Sequence, residues 1–401
     1  MGCTGGSPGA RLVRVPADRP TIQAAVDHAR PGDTVLISPG TYREAVSVRT
    51  PGIVVRGEDR NTVVLDGDDM LANGFLVAAD GVRIENLTVR SYTQNGVVFN
   101  GIVAVTKGKA VDPSVVYGTD DKVLRGFAVS HVTSHNNGLY GVYAFASRGG
   151  TIEDTYVSGH PDSGIYVGQC RPCDTVVRRV TAELNAIGYY GTNASGGIYV
   201  VESTFRRNRL GVAPNSQKAE KLSPQGDAVV AGNSVTDNDD PAAPPVPNGF
   251  FGGGIAVGGG TRNLIVRNLV TGHSFAGIIL TALNDFLPEN NRIEGNVLSG
   301  NLWDLVYAPE GATGPGGNCF TGNTFAHSAP ATIEAALPCD GSPTVTGPAQ
   351  VKMPPAPPKV DYRSIPAPPA QTSMPRVDAP LMAGVPAFRA PDISTIVVPQ
   401  R

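Results

Sequence analysis

The sequence is poor in several kinds of residue, and each shortage excludes a class of protein. Only 17% of the 401 residues are charged and the formal net charge is −3, so we expect no nucleic-acid partner. No run of eighteen apolar residues occurs, which argues against a membrane-spanning helix. Aromatic residues are scarce at 6%, whereas glycine numbers 49 and proline 34. The glycines follow no three-residue period, which excludes collagen and leaves a turn-rich, all-β protein.

Five cysteines are present, and four of them lie in two local pairs. Four cysteines allow three pairings, of which we predict Cys170–Cys173 and Cys319–Cys339. Such disulfides imply an oxidising compartment outside the cytoplasm. The Cys-Arg-Pro-Cys segment also suits a redox-active pair, but no βαβ unit, its usual setting, is visible around it.

The fifth cysteine, Cys3, lies in a Gly- and Ser-containing segment, residues 1–11, which we predict to be a flexible tether. Gly-Cys followed by such a tether resembles the start of a mature bacterial lipoprotein, whose cysteine carries the lipid. The alternative is a stray cysteine in a disordered terminus. Lipidation of Cys3 is the one membrane contact that the sequence predicts.

At the other end, residues 343–401 contain fourteen of the 34 prolines. A stretch of this composition favours polyproline II and forms no packed core of its own. We therefore predict a Pro-rich tail after a domain over residues 12–342. The tail is interpreted as a spacer across the cell wall or as a segment that docks along envelope proteins.

The domain opens with a short helix. Within residues 21–30, apolar residues recur at i, i+3, i+4 and i+7, the spacing of one helical face. Pro20 suits its start and Pro31-Gly32 its end. We expect this helix to cover the open end of the structure that follows.

Short alternating strands, each followed by a polar turn and a glycine, recur at intervals of about 23–28 residues, which is typical of a solenoid. Hairpins would require a chain reversal about every ten residues. Each unit is therefore long enough for one coil stacked in parallel on the previous coil. Four such segments are Val82–Val89, Thr151–Val157, Leu264–Val270 and Arg292–Leu298.

Three opening segments, Pro20–Val26, Pro31–Val35 and Pro39–Tyr42, resemble the N-terminal cap of the right-handed parallel β-helix (pectin-lyase-like) superfamily. The resemblance implies an all-β fold, a single-stranded right-handed parallel β-helix solenoid of roughly ten coils with a short N-terminal capping helix. Members include polyuronate lyases, glycan hydrolases, alginate C5-epimerases and non-catalytic periplasmic factors that assist nitrous-oxide reductase.

Aligning the coils by the apolar residue at the strand end reveals a polar position three residues later. The apolar set is Val132, Val157, Phe205, Val235, Val270, Leu298 and Phe325. The polar set is His135, His160, Asn208, Asn238, His273, Asn301 and Ser328. Because coils stack about 4.8 Å apart, we expect these polar side chains to form a ladder that satisfies backbone groups at one turn.

The segment His160-Pro-Asp162 resembles the Asp-Pro-His-Asp motif of alginate epimerases, with Gly159 where the leading aspartate stands. Proton abstraction from C5 of a uronate needs a base, a group that neutralises the carboxylate, and an acid. The resemblance implies His160 as base, Asp162 as its orienting partner and Tyr166 as acid, with His135 one coil away. The alternative places both histidines in the polar ladder.

Three consecutive coils contain Gly141-Val-Tyr143, Gly164-Ile-Tyr166 and Gly188-Tyr-Tyr190. Strand alternation points the middle residue inward, so Tyr143, Tyr166 and Tyr190 should form an outward row. Such a row is a candidate platform for stacking sugars. Equally, an aromatic ladder can reinforce a stacked sheet without a ligand.

Three insertions, residues 101–121, 213–226 and 239–253, interrupt the repeat and are predicted to wall a groove. The aspartate pair at 120–121 and the segment Asp66–Asp69 offer oxygen ligands for calcium. Solvated aspartates explain both segments equally well.

Two functional hypotheses follow. The first is an extracytoplasmic protein that binds an acidic or envelope polysaccharide along residues 135–190, with epimerase or lyase activity if it is an enzyme. The motifs of the superfamily's hydrolases (Asn-Thr-Asp, Asp-Asp and Gly-His-Gly) are absent in the required arrangement. The second is a non-catalytic envelope scaffold that binds partner proteins through its long faces and Pro-rich tail.

Overall fold

The computed structural model describes residues 9–101, 123–246, 249–345, 347–382 and 384–400. Cys3 lies outside the described residues, as does nearly all of the insertion predicted over residues 101–121, including its aspartate pair at 120–121. Among those described, no helix has the length and apolar character needed to cross a membrane.

The described strands form a 20-stranded and an 11-stranded sheet, numbered here in chain order, in which each strand pairs in parallel with its counterparts in neighbouring coils. The larger sheet follows two faces of the molecule, sheets A1 and A2, and the smaller forms the third, sheet B. Sheet A1 consists of β1 (Leu12–Val15), β2 (Thr34–Ile37), β5 (Val54–Gly57), β8 (Val82–Arg90), β10 (Leu124–His135), β12 (Ser147–Glu153), β15 (Thr175–Arg178), β18 (Ser195–Val201), β21 (Gly226–Ala231), β24 (Leu264–Val266), β27 (Arg292–Glu294) and β30 (Cys319–Thr321).

The long strands β8 and β10 turn the corner and continue into sheet A2. The other strands of sheet A2 are β3 (Gly40–Tyr42), β6 (Val63–Asp66), β13 (Tyr156–Ser158), β16 (Thr181–Glu183), β19 (Thr204–Arg206), β22 (Ser234–Thr236), β25 (Leu269–Thr271) and β28 (Val297–Ser299). Sheet B consists of β4 (Val46–Val48), β7 (Asn73–Val77), β9 (Asn95–Asn100), β11 (Tyr140–Phe145), β14 (Ser163–Gly168), β17 (Ile187–Thr192), β20 (Leu210–Asn215), β23 (Gly253–Gly258), β26 (Ala276–Thr281), β29 (Trp303–Ala308) and β31 (Ser328–Ala329).

This arrangement confirms the predicted parallel β-helix. Successive coils stack so that inward residues such as Val142, Ile165 and Val212 lie in one continuous core and are fully buried. Parallel crossovers of this kind are right-handed. The apolar repeat therefore specifies the coil, and the stacked coils bury it.

The N-terminal helix α1 (Ile22–His28) confirms the predicted cap. Thr21 precedes it and its side chain accepts a backbone N–H of the first turn. Ile22, Ala25 and Val26 are buried against the first coils. A second short helix, α2 (Ile333–Ala336), lies at the opposite end, where Glu334 accepts the backbone N–H and side-chain amide of Asn323.

Both predicted disulfides are present. Cys170–Cys173 closes the corner between β14 and β15. Cys319–Cys339 joins β30 to the segment after α2. Each is local in sequence, so each fixes one corner of the solenoid.

The Pro-rich tail does not extend away as a spacer, contrary to one interpretation of its composition. It leaves the last coils near Tyr307, where Ala349 N donates to the Tyr307 carbonyl, and reaches the first coils, where Leu381 N donates to Thr34 Oγ1. It then returns to pack Ile396 against the middle of sheet A1. Its only described regular structure is a pair of 3-10 turns, Tyr362–Ser364 and Ile393–Thr395.

Arginines of the β-helix hold the tail in place. A proline-rich chain has many carbonyls and few N–H groups, so the donors must come from the surface that it meets. The guanidinium groups that donate to tail carbonyls belong to Arg56, Arg60, Arg83, Arg209 and Arg267. The tail is therefore part of the folded structure and has no packed core of its own.

Candidate functional site

A continuous ladder of amide and imidazole side chains runs through the interior at the corner between sheets A2 and B. Each member hydrogen-bonds to the next at 2.7–3.2 Å, and Asp304 accepts the last bond. The members are Asn137, His160, Asn185, Asn208, Asn238, His273 and Asn301. The predicted ladder is thus confirmed in kind, but the prediction omitted Asn185, which lies between His160 and Asn208, and it is wrong at both ends.

At the N-terminal end, the prediction that His135 belongs to the ladder is wrong. Ser134 pairs with Val157 and His135 with Ser158, so Asn137 lies opposite His160. His135 lies instead beside a separate polar cavity, and its Nδ1 is 2.6 Å from Asn136 Oδ1. At the other end, Ser328 pairs with Leu305 in sheet B and does not join the ladder.

His160 is fully buried and both of its ring nitrogens are engaged in the ladder. Asn137 donates to Nε2 at 3.2 Å, and Nδ1 donates to Asn185 Oδ1 at 2.7 Å. Burial lowers the pKa of His160 to about 3, so the ring is neutral at physiological pH. This geometry favours the ladder interpretation of His160, because neither nitrogen is available to a substrate.

The predicted row of tyrosines exists on the outer side of sheet B. Tyr143 pairs with Tyr166, and Tyr166 pairs with Tyr190, in consecutive strands. The ring centroids are 4.8 Å apart in the first pair and 5.9 Å apart in the second. A fourth ring, Tyr140, stacks on Tyr143 at 4.6 Å and was not predicted, although it directly precedes the first Gly-Val-Tyr segment.

The row is not an open platform, because an insertion covers part of it. Tyr166 is 3% exposed. Its hydroxyl donates to Glu220 Oε1 at 2.6 Å, and Gln217 Nε2 donates to the Tyr190 hydroxyl at 3.0 Å. Glu220 and Gln217 belong to the insertion predicted over residues 213–226, whose loop runs between β20 and β21.

Asp162 lies beside this row. Burial raises the pKa of its carboxyl to about 6, and hydrogen bonding with Tyr140 acts in the opposite direction. Its Oδ1 is buried and has no hydrogen-bond partner among the described residues. A buried acceptor of this kind is costly to leave unsatisfied, and a ligand hydroxyl would satisfy it.

Glu220 repeats this pattern next to Tyr166 of the same row. Burial raises the pKa of its carboxyl to about 7, while the hydrogen bond from Tyr166 lowers it. Within the described chain its Oε2 is buried without a partner. Both carboxylates are close enough to Tyr190 to raise the pKa of its hydroxyl, together with the larger effect of burial. Glu220 was missed by sequence reasoning, which placed its insertion near a groove but assigned it no role.

A cavity of about 330 Å³ opens at this point of sheet B. Asp162, Tyr190 and Gln217 supply polar groups to its wall, and the remaining wall is mostly apolar. The apolar lining residues include Ile187, Leu210, Ala213, Val246, Phe250 and Ala256. Val246 and Phe250 come from the insertion predicted over 239–253, so two insertions wall the cavity as expected. A small number of polar groups on an apolar wall is typical of small-molecule sites.

The predicted residues are therefore only partly brought together. Asp162 and Tyr190 line the cavity, Tyr166 packs edge-on against Tyr190, and Tyr143 continues the row. His160 lies beneath in the ladder and His135 in another cavity. The carboxyl group of Asp162, whose pKa of about 6 lies near neutrality, can exchange a proton with a molecule bound in the cavity.

The segment Asp66–Asp69 does not converge into a cation site. Asp66 forms an ion pair with Arg90, and Asp69 lies 3.4 Å from Arg363. Throughout the described ranges, no three His, Cys, Asp or Glu side chains meet in a way that could hold a metal ion.

Solved structures of known proteins are similar to this chain over much of its length. The A-module of the mannuronan C-5 epimerase AlgE4 of Azotobacter vinelandii is 16% identical, with 78% of this chain and 92% of that chain covered and a TM-score of 0.49. Pectate lyase Pel9A is 14% identical, with coverages of 83% and 82% and a TM-score of 0.49. The ORF18 protein of Geobacillus virus E2 is 12% identical, with coverages of 79% and 60% and a TM-score of 0.51. At these identities the likeness concerns the fold alone.

The family relationship is more specific. The family model described as periplasmic copper-binding protein (NosD) matches residues 128–337. That span covers more than half of the 401 residues and includes the ladder, the tyrosine row and both carboxylates. The chain is a right-handed parallel β-helix protein and belongs to the NosD family.

Proposed function

We propose that this chain is an extracytoplasmic protein that binds an acidic or envelope polysaccharide along sheet B. One observation carries the proposal: Asp162 and Glu220 each present a buried, unpartnered carboxylate oxygen beside a row of tyrosines. Sugar hydroxyls supply the missing hydrogen bonds, and tyrosine rings stack on sugar faces. The family is described as periplasmic, and the two disulfides agree with that location.

The two carboxyl groups also support chemistry of the epimerase or lyase type. Near pH 6.5, Asp162 with a pKa of about 6 is mainly ionised and Glu220 with a pKa of about 7 is mainly protonated. Asp162 is then the base for a sugar C–H proton. Glu220, hydrogen-bonded to Tyr166, is the acid or the donor to a uronate carboxylate. In this proposal Tyr143 and Tyr190 contact the sugar and the histidines do not.

Copper binding, which the family description names, finds no support in the described residues. Four cysteines are in disulfides, and His160 and His273 are buried in the ladder. No metal-binding cluster of His, Cys, Asp or Glu is present in the described part of the chain. These residues do not fit a copper centre, and we assign no step to copper.

The scaffold alternative is not favoured by the tail. Five arginines of the same chain already donate hydrogen bonds to carbonyls of the tail. The described tail is therefore bound in part by its own β-helix. Carbohydrate binding remains the function that the geometry supports best.

The test is proton NMR of the purified chain mixed in turn with polyuronates and cell-wall glycans. Broadened sugar signals indicate binding, and new unsaturated or inverted-C5 signals indicate lyase or epimerase activity. We expect Asp162→Asn and Glu220→Gln each to weaken binding or turnover by about tenfold or more. Glu202→Gln is the matched control, because Glu202 is an exposed carboxylate at a corner of sheet A1 paired with Arg178.

Two results would contradict the proposal. One is that no glycan in the panel broadens or changes. The other is that Glu202→Gln reduces binding as much as the two site variants do. Circular dichroism of each variant distinguishes loss of the site from loss of the fold.

A further inference from the structure

The Pro-rich tail contains the same five-residue pattern twice, Asp-x-x-Ser/Thr-Ile, at residues 361–365 and 392–396. Both copies fold into a 3-10 turn with the same internal bonds. The aspartate carboxylate accepts the N–H two residues further on, at 3.0 Å in each copy. The Ser or Thr hydroxyl donates to the aspartate carbonyl, at 2.7 and 2.8 Å.

In both turns, the β-helix donates hydrogen bonds to the same two backbone carbonyls. One belongs to the residue that follows the aspartate, and the other belongs to the isoleucine. Asn136 Nδ2 donates to both carbonyls of the first turn, at 2.7 and 2.9 Å. Arg267 Nη1 donates to both carbonyls of the second, at 2.7 and 2.8 Å. Both donor residues adopt positive φ, 53° and 54°, at solenoid corners.

The isoleucine of each turn is the buried anchor. Ile365 and Ile396 are each 5% exposed, although the tail around them is largely exposed. Each enters a small apolar pocket on the β-helix surface. The pocket residues are Leu184 and Ala243 for Ile365, and Val201, Ala231 and Val266 for Ile396.

A glycine at positive φ forms part of each pocket. A Cβ at Gly159 would lie 3.3 Å from Cβ of Ile365, and one at Gly232 would overlap Cγ2 of Ile396. Their φ values are 70° and 64°. The two places on the β-helix therefore share a double donor, an apolar pocket and a glycine.

From this repetition we infer that the β-helix carries two peptide-binding sites for the pattern Asp-x-x-Ser/Thr-Ile, and that the tail is their bivalent intramolecular ligand. The aspartate preorganises the turn, the isoleucine fills the pocket, and the two carbonyls meet one donor group. Both turns are on one chain, so a turn that is released stays near its site while the other turn remains bound. Its effective concentration at that site is therefore high. A peptide of the same pattern binds where one tail turn has been disabled.

The first experiment measures retention of the tail after its covalent link is cut. A protease recognition sequence is inserted after Ser342, an exposed position, and the full chain is cleaved and passed over a sizing column. We expect the tail fragment to stay bound in the parent. It should dissociate about tenfold faster or more from Asn136→Ala and from Arg267→Ala.

Arg262→Ala is the matched control. Arg262 also adopts positive φ at a corner of sheet A1, and its described ion pair is with Asp227. The inference is overturned if the parent releases its tail at once, or if the Asn136→Ala/Arg267→Ala double variant retains it as Arg262→Ala does. Native mass spectrometry that finds tails exchanged between copies would overturn the intramolecular assignment.

The second experiment tests recognition of the pattern directly. A fluorescent peptide of residues 389–399 is titrated into the intact chain and into the Ile396→Asn variant, whose own second turn has lost its anchor. We expect binding to Ile396→Asn at concentrations at least about tenfold lower than to the intact chain, whose site is filled. A peptide with alanine in place of Asp392 is the control and should bind more weakly. Binding to neither chain, or equally to both, contradicts the inference.

Discussion

Each amide of the inner ladder satisfies more than one neighbour, as Asn185 illustrates. Its Oδ1 accepts both the backbone N–H and Nδ1 of His160, and its Nδ2 donates to Oδ1 of Asn208. A neutral histidine offers one donor and one acceptor, so His160 fits into the same chain of hydrogen bonds. At the residue scale the histidines are therefore hydrogen-bonding parts of the core.

Replacing His160 tests this role. His160→Ala removes the partner of two buried amides and leaves a cavity, so we expect a loss of about 2–4 kcal/mol in the free energy of unfolding, measured by denaturant titration. His160→Asn restores one donor and one acceptor and should recover part of that loss. His327→Ala, at an exposed ring, is the control. Loss of glycan turnover in His160→Ala with unchanged stability would contradict the ladder role.

The ladder histidines also predict how stability depends on pH. Burial lowers the pKa of His160 to about 3 and of His273 to about 4, below the ordinary value of 6.5. Below pH 6.5 the unfolded chain binds protons that the folded chain cannot, so stability falls as pH decreases from 6.5 towards 4. Each histidine costs about 2 kcal/mol between pH 7.5 and pH 5.

The double variant His160→Asn/His273→Asn should lose this dependence. The quantity to compare is the free energy of unfolding of the variant minus that of the parent. This difference should be about 4 kcal/mol larger at pH 5 than at pH 7.5. Comparing differences between the two chains removes the opposite effect of Asp162 and Glu220, whose raised pKa values stabilise the folded state at lower pH. If the difference in unfolding free energy between variant and parent is the same at both pH values, the histidines of the folded chain titrate normally.

One residue explains why the sequence alignment misplaced His135. Alignment on apolar strand ends places Val132 opposite Val157. The residue that pairs with Val157 is Ser134, a fully buried serine whose hydroxyl donates to Gly141 O and contacts Asn137 Nδ2. An inward polar residue carries no apolar signal, so the alignment shifted by two residues.

At the element scale, the insertions show what periodicity cannot specify. Their positions were predictable because they interrupt the repeat. Their contacts were not, because Glu220 meets Tyr166 through the three-dimensional course of the loop and not through any spacing. Sequence reasoning consequently found Asp162 and the tyrosine row but not the second carboxylate of the site.

One arginine joins the other insertion to the tail. Arg209 is 1% exposed, and its guanidinium donates to the carbonyls of Ala243, Pro241, Pro357 and Pro358. A buried cation bonded to carbonyls from two segments fixes them relative to each other.

Arg209→Ala should therefore loosen both segments together. We expect faster amide hydrogen exchange around Ala243 and around Val360, measured by mass spectrometry, with a loss of stability of about 2–4 kcal/mol. Arg206→Ala is the control, because Arg206 is half-exposed and pairs with Glu183. Faster exchange in one segment alone would show that Arg209 does not couple them.

At the scale of the whole molecule, the solenoid was predictable and the course of the tail was not. Apolar periodicity and the N-terminal cap specify stacked coils, since each coil buries the same face. Proline content predicts an extended chain but not the donors that it meets. No feature of the sequence marks Arg56, Arg60 and Arg83 as partners of the tail, whereas each donates to a tail carbonyl in the structure.

This tail changes how the solenoid should open. In a repeat protein each coil contacts its neighbours alone, so the ends open first. Here the tail begins at the last coils and crosses to the first, where Leu381 reaches Thr34 and Met374 N donates to Asn86 Oδ1 at 2.7 Å. The first coils are thus held by a segment anchored at the opposite end.

Met374→Pro weakens this link without changing a residue of the β-helix, because proline has no N–H to donate to Asn86. We expect amide exchange in β2 and β5, at the N-terminal end, to accelerate by about tenfold, while β26 and β29 keep their rates. Ala370→Pro is the matched control, since Ala370 is exposed and its proline neighbour already favours an extended chain. Equal exchange in the two variants would mean that the hydrogen bond from Met374 to Asn86 does not stabilise the first coils. Acceleration in Met374→Pro alone would establish that the tail couples the two ends of the β-helix. The coils of this repeat protein would then open together.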